Sequence, residues 1–191
     1  MRNLLFLDLE LNNPFTPEQR IIEIGYVIVS LDKGKFDLVR SSNILVYPHQ
    51  EIQPEIEALT GITTDMVKSG ISLQEAYEKL KADVIQYQVN RTCAQWGEGD
   101  ARCLREELGL SEKDFIFRRR TFDIKTFFQL HTLLTRPGKL SKGLQGAVEH
   151  LGMEFEGKPH RALNDAINTF RVFEELSKDV ILGTKVRELM K

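Results

Sequence analysis

Residues 1–13 read MRNLLFLDLELNN, an apolar run that ends in two acids, Asp8 and Glu10. Successive side chains of a β-strand point to opposite faces. Read as a strand over residues 4–11, the stretch puts Asp8 and Glu10 on the face of Leu4 and Phe6. Leu5, Leu7, Leu9 and Leu11 take the other. One face is apolar throughout, and the other turns from apolar to doubly acidic. Two carboxylates this close repel, and neither ionises easily away from water unless a cation or hydrogen bonds compensate. A strand end that has reached solvent is the plain explanation. The apolar face continuing through Leu11 instead places the pair at the edge of a buried sheet, where metal binding accounts for it.

The segments that follow extend this strand into a sheet. NNPFTPEQR reads as a loop on its Asn and Pro content. Residues 20–31 and 36–48 are rich in β-branched residues and joined by a DKG turn, so the first three strands form an antiparallel meander. The period then changes. Leu73, Ala76, Tyr77, Leu80, Val84 and Tyr87 recur three or four apart, which is helical, and Ser72 with Glu75 makes a capping box.

Two further strands are expected at residues 91–96 and 115–124. Helices are expected from Asp100 to Gly109, through KTFFQLHTLL, over SKGLQGAVEHLG, and from about Arg161 to Ser177, with RPGK as a break. A meander followed by strands alternating with helices implies one mixed sheet with helices on both faces. This is the order of the ribonuclease H-like fold, an α/β architecture with a central five-stranded sheet, antiparallel then parallel.

Length and composition agree with this. At 191 residues the chain suits one domain spanning 1–191, and its 41% apolar and 28% charged content is that of an ordinary globular protein. The formal net charge is −2, so no global field draws in polyanions, and a nucleic-acid partner needs a local basic patch or metal ions. Cys93 and Cys103 form no CxxC pair and read as reduced thiols of a cytoplasmic protein. The N-terminal apolar run is too short, and broken by Asp8, for a signal peptide or membrane span.

Two more acids and one histidine carry chemical meaning. Asp100 in TCAQWGEGDARCL taken alone is a first-turn acid on a helix after a Gly-rich break. In HRALNDAINTFRVFEEL the stripe Ala162, Leu163, Ala166, Ile167, Phe170, Phe173 and Leu176 is core, and Asp165 lies at its margin. His160 precedes that helix, in the loop entered through Pro159. His49, His131 and His150 read as polar surface residues. Together, four acids from a strand, a middle helix and a late helix can converge at one end of the sheet, with His160 beside them. Hard cations such as Mg²⁺ or Mn²⁺ take oxygen ligands, whereas zinc sites draw on more His and Cys than this chain offers. Two such ions roughly 3.5–4 Å apart activate water and stabilise the leaving oxygen of a phosphodiester.

At these residues the chain resembles the DEDDh 3′→5′ exonuclease superfamily, which includes RNase T and the proofreading subunit of bacterial DNA polymerase III. DLE matches its Asp-x-Glu motif, Asp100 the helix-start Asp, and HRALND the His-x₄-Asp motif. The likeness runs from residue 4 to about 176, and EALTGITTDMV at 57–67 matches the family's loop before the first helix. TCAQWGEGDARCL and FEGKPHRALNDAIN are most similar to the Eri-type exoribonucleases, which trim RNA 3′ ends. The resemblance implies Asp8, Glu10 and Asp165 as direct ligands of two Mg²⁺ or Mn²⁺ ions, Asp100 as a ligand partly through water, and His160 as general base.

The expected substrate is the 3′ end of single-stranded RNA or DNA, and the expected product a nucleoside 5′-monophosphate. A homodimer or a larger nucleic-acid-processing complex is compatible with this reading. Where the family often has Thr-Thr or Thr-Gly after Asp-x-Glu, this chain has Leu11, Asn12 and Asn13. Leu11 is then the candidate to pack a base and Asn12 to bond a 3′-hydroxyl.

Trp96 abuts an apolar strand and reads as packed beside the sheet, with base stacking as its other role. The RRR run at 118–120 reads as a solvated strand edge, and Lys139, Lys142, Lys158 and Arg161 lie near the third motif. The competing assignment is a non-catalytic regulatory or proofreading-like subunit on the same fold. The intact set of acids argues against it, because a binding module has no need for closely spaced carboxylates.

Overall fold

The run of apolar residues before Asp8 forms the central strand of a five-stranded sheet. In the computed structural model, which describes residues 2–32, 34–135 and 143–189 (side chains of residue 2 and of 179–189 excepted), β1 spans Arg2–Asn12. It pairs antiparallel with β2, Arg20–Asp32, which pairs antiparallel with β3, Lys35–Leu45. On its other side β1 pairs parallel with β4, Ala94–Gln95, and β4 with β5, Phe122–Asp123, giving the order β3-β2-β1-β4-β5. This is the mixed five-stranded sheet of the ribonuclease H-like fold. The meander is as expected.

The parallel strands are much shorter than the sequence suggested. Residues 115–121 are irregular and not strand. The alternation of Phe115 and Phe117 reflects burial in the core without ladder pairing. Side chains supply the backbone bonds there: Arg91 donates to the carbonyls of Ile116 and Phe115 at 2.8 and 3.0 Å, and the Ile116 N–H donates to the Tyr77 hydroxyl at 2.9 Å.

The two faces of β1 split the core as the pleat dictates. Leu5, Leu7 and Leu9 pack against α3, Leu73–Gln86, and α4, Asp100–Glu107. Helix α3 begins with the expected Ser72–Glu75 capping box. Leu4 and Phe6 pack on the opposite face against α5, Ile124–Thr135, α6, Leu144–His150, and α7, Ala162–Leu189. Phe6 meets Phe170 and Phe173 of α7 at ring separations of 5.4 and 5.5 Å, which seats that helix on the central strand.

Residues 57–67, expected as loop, instead hold parts of two short helices, α1, Pro54–Thr60, and α2, Thr64–Lys68. Pro54 at the first position and Gly61 at φ +75° delimit the first, and the Thr63 side chain accepts from Met66 N–H to start the second. They cover Ile22, which a register shift between Glu10 and Leu11 leaves as the extra residue of β2. Among the described residues no helix is long and apolar enough to cross a membrane.

Candidate active site

Asp8 and Glu10 stand on β1 directly across from Gly25 and Glu23 of β2. Gly25 has no side chain because α7 begins on top of it. A Cβ at this position would lie 2.0 Å from the carbonyl carbon of Ala162 and 2.1 Å from the Leu163 nitrogen. Glu23 is fully buried and fastens the same helix start. It accepts from Arg161 Nη2 at 2.6 Å, from Arg161 Nε at 3.1 Å and from the Ala162 N–H at 2.8 Å. A carboxylate on the first N–H of a helix satisfies an otherwise orphaned donor and complements the dipole. Asn43 Nδ2 completes its partners at 2.9 Å. The sequence motifs do not include Glu23, although a carboxylate inside the apolar run RIIEIGYVIV is as strong a signal as Asp8 itself.

This docking brings the third motif to the first. Asp165 sits in the first turn of α7, and His160 just before it is exposed, with its backbone in the left-handed region at φ +59°. A non-glycine residue held there is a local strain of the kind that gathers at functional sites. Glu10, His160 and Asp165 offer ligand atoms that all lie within 4.8 Å of one another. Asp165 Oδ1 is buried and has no hydrogen-bond partner among the described residues.

Asp100 opens α4 after Gly99, whose φ of +140° only glycine adopts readily. Buried Gln95 steers this turn, accepting from the Ala101 N–H at 3.1 Å while donating to the Gly97 carbonyl at 3.1 Å. Gln95 also escapes the sequence motifs, since a glutamine at a strand end carries no distinctive signal.

The four acids act on one another. Burial and then the charges of Asp100, Asp165 and Glu10 push Asp8 well above the usual carboxylate range. Burial, with Asp165 and Glu23 nearby, raises Glu10 to about 8. Asp165 is pushed up to about 7 by burial, against a backbone hydrogen bond from His160 that pulls it down. Asp100 is likewise raised to about 7, chiefly by burial. Asp8 and Asp100 are outside the three-residue group but belong to the same electrostatic cluster. Crowded carboxylates with an unpartnered buried oxygen suit a hard divalent cation, whose charge would return them to their ionised form.

The remaining expectations fall differently. Asn12 is fully buried, donating to the Glu51 carbonyl and accepting from the Gln53 N–H, both at 2.9 Å. Its side-chain donor and acceptor are thus both engaged by backbone of residues 51–53. Leu11 packs half-buried against the α3–α4 core. Trp96 packs on the opposite core, its ring 6.0 Å from Phe128.

Among the other histidines, His49 is exposed beside Tyr47, and His131 bonds Thr135 within α5. His150 departs from the surface reading: it is half-buried, edge-on to Phe128 at 5.6 Å with Nε2 buried. The exposed arginines 118–120 lie on the irregular segment and not on a strand edge. Lys139, Lys142 and the RPGK break lie outside the described residues.

A ribonuclease H-like sheet with acids on its central strand, an acid at a helix start, and a His just before and an Asp within the first turn of the last helix defines a 3′–5′ exonuclease of the DEDDh type. The chain belongs to the RNase T exonuclease family, whose pattern matches residues 5–173. It is 25% identical over 189 residues to the probable 3′-5′ exonuclease KapD of Bacillus subtilis, covering 93% of this chain and 85% of that protein. It is 28% identical over 191 residues to ERI1 exoribonuclease 2 of Danio rerio. There it covers 84% of this chain but only 32% of the relative, so the likeness spans about a third of that protein. Among solved structures, the nuclease domain of 3′hExo, a DEDDh family member bound to rAMP, matches with a TM-score of 0.76. That match has 19% identity and covers 93% of this chain and 92% of that one.

Proposed function

We propose that the protein is a metal-dependent exonuclease that removes nucleoside 5′-monophosphates one at a time from 3′ ends of single-stranded RNA or DNA. The convergence of Glu10, His160 and Asp165 within 4.8 Å is the observation that carries this reading. Asp8, Glu10 and Asp165 would hold two Mg²⁺ or Mn²⁺ ions, with Asp100 contributing partly through water. Bound there, the ions supply Lewis acidity, lowering the pKa of water and stabilising charge on the departing 3′-oxygen.

The protein's own groups do the rest. His160 accepts the proton of the attacking water at its imidazole. Its exposure leaves it free to exchange that proton with solvent. Arg161 and Glu23 fix the helix that carries Asp165, so the acid stays aimed at Glu10. One domain suffices for this chemistry, and a cytoplasmic setting with reduced Cys93 and Cys103 is consistent with it.

The test is matched 5′-labelled RNA and DNA strands, single and double, with Mg²⁺, Mn²⁺ or chelator. A ladder of products shortened from the 3′ end, lost in chelator and lost in Asp165→Asn, is the expected result. Cleavage of a circular substrate, or full activity in Asp165→Asn with its fold intact by circular dichroism, would overturn the reading.

A further inference from the structure

A cleft of about 840 Å³ lies between α4 and the irregular segment 110–121. Arg102 and Arg105 of α4 line it, as do Arg118, Arg119 and Arg120 of that segment. Its acids are Glu98 and Glu112, so five cations face two anions in a chain whose formal net charge is −2. Phe115 and Phe117, 3% and 1% exposed, close off its apolar side.

Only two of the five arginines make ion pairs among the described residues. Arg105 pairs with Glu106 at 3.3 Å and Glu112 at 3.6 Å, and Arg119 reaches Glu112 at 3.8 Å. Arg102, Arg118 and Arg120 are exposed and make no ion pair or side-chain hydrogen bond among the described residues. The segment is anchored through its backbone instead, Arg118 N–H donating to the Arg91 carbonyl at 2.7 Å. Three guanidinium groups gathered without counterions among the described residues oppose folding, which points to an anion from outside the chain.

The position of the cleft says which anion. Gly99 and Ala101, the neighbours of Asp100, are among its lining residues, so it opens beside the acid cluster. We propose, resting on the exonuclease reading above, that it carries the backbone phosphates of the strand on the 5′ side of the bond being cut. Only the last phosphodiester of a strand can sit among the acids. The rest must leave past a surface that offsets their repulsion of a polyanion. Arginine forks grip phosphate oxygens in pairs and hold a strand without reading its sequence. An acidic protein segment would also suit a basic cleft, but it would not need the cleft to open at Asp100.

The test is binding of 5′-labelled single strands, a dinucleotide and a decanucleotide, by fluorescence anisotropy with Ca²⁺ in place of Mg²⁺. The combined Arg102→Ala, Arg118→Ala and Arg120→Ala variant is compared with the same three positions changed to Lys. A Lys79→Ala, Lys81→Ala variant on α3 is the control. The alanine variant is expected to weaken decanucleotide binding by roughly tenfold or more. The slope of log Kd against log salt should shrink by about 2, near 0.7 for each phosphate no longer neutralised.

The weakening grows with strand length, and lysine, which keeps the charge but not the fork, restores the salt slope and part of the affinity. A decanucleotide Kd and salt slope matching the control, or equal weakening on both strands, would overturn the proposal and leave the arginines to a different anionic partner. Wild-type protein that binds through these arginines yet releases no nucleotide would instead overturn the exonuclease reading alone.

Discussion

Glu23 and Arg161, 138 residues apart in sequence, meet at 2.6 Å where β2 faces the start of α7. The pair is the mechanical link between the strand acids and the His–Asp motif. Glu23 is fully buried, and Arg161 keeps only 26% of its side-chain surface. Removing one partner of such a pair leaves the other's charge poorly compensated. Glu23→Ala is expected to cost about 3 kcal/mol in urea unfolding. Because the Glu23 charge also helps raise Glu10 and Asp165, their titration should move to lower pH in any variant that stays folded. Carboxyl titration of the metal-free protein followed by NMR reads this second effect.

Gly25→Ala tests the same junction by crowding. The new methyl would overlap backbone atoms of Ala162 and Leu163, which cannot rotate away. A loss of about 3 kcal/mol is expected, the upper part of the overpacking range. A thermal melt together with activity should show both falling, since α7 must shift with Asp165 on it.

In metal-free protein Glu10 titrates near 8, and Asp100 and Asp165 near 7. Unfolding returns them to the ordinary carboxylate range near 4. Between those limits the folded chain binds more protons than the unfolded one, so their stabilising contribution is complete below about pH 4 and is lost as pH rises through 7 to 8. In chelator, Tm is expected to fall between about pH 5.5 and about pH 8.5. Added Mn²⁺ should raise Tm most at the alkaline end, where the acids no longer have to release protons to bind it. A Tm gain from Mn²⁺ that shrinks as pH rises would contradict this.

Asn12→Ala removes two hydrogen bonds to the backbone of residues 51–53 from a side chain with no exposed surface. The expected cost is about 2 kcal/mol. Binding of strands with a 2′,3′-modified end should be no more impaired than binding of ordinary ends, which separates a structural role from contact with the terminal hydroxyl.

The meander and the first motif are legible in the sequence because each strand is long and its faces differ in polarity. The alternation from Leu4 to Leu11 shows which acids share a face before any helix is placed. The later strands are legible in place, at Ala94–Gln95 and Phe122–Asp123, but not in length. In the Phe115–Phe117 stretch the same alternation arises from two rings entering the core, while Arg91 and Tyr77 take the backbone bonds that a neighbouring strand would have made. The helices at 54–60 and 64–68 are too short to show a period. Asp165 is found from its position at the margin of an apolar stripe. What aims it, the contact of Glu23 with Arg161, lies in the meeting of two distant elements and leaves no mark in either one alone.

Asp8 lies near one end of the chain and Asp165 near the other, and the group forms only when α7 lies across Gly25. Synthesis proceeds from the amino terminus, and the last long helix leaves the ribosome late. A nascent or truncated chain that lacks it has strand acids but nothing to complete them. Glu10 and Asp165 therefore come within reach of one another only after β1, β2 and α7 have all been made and packed, so the three-residue group is a late product of folding.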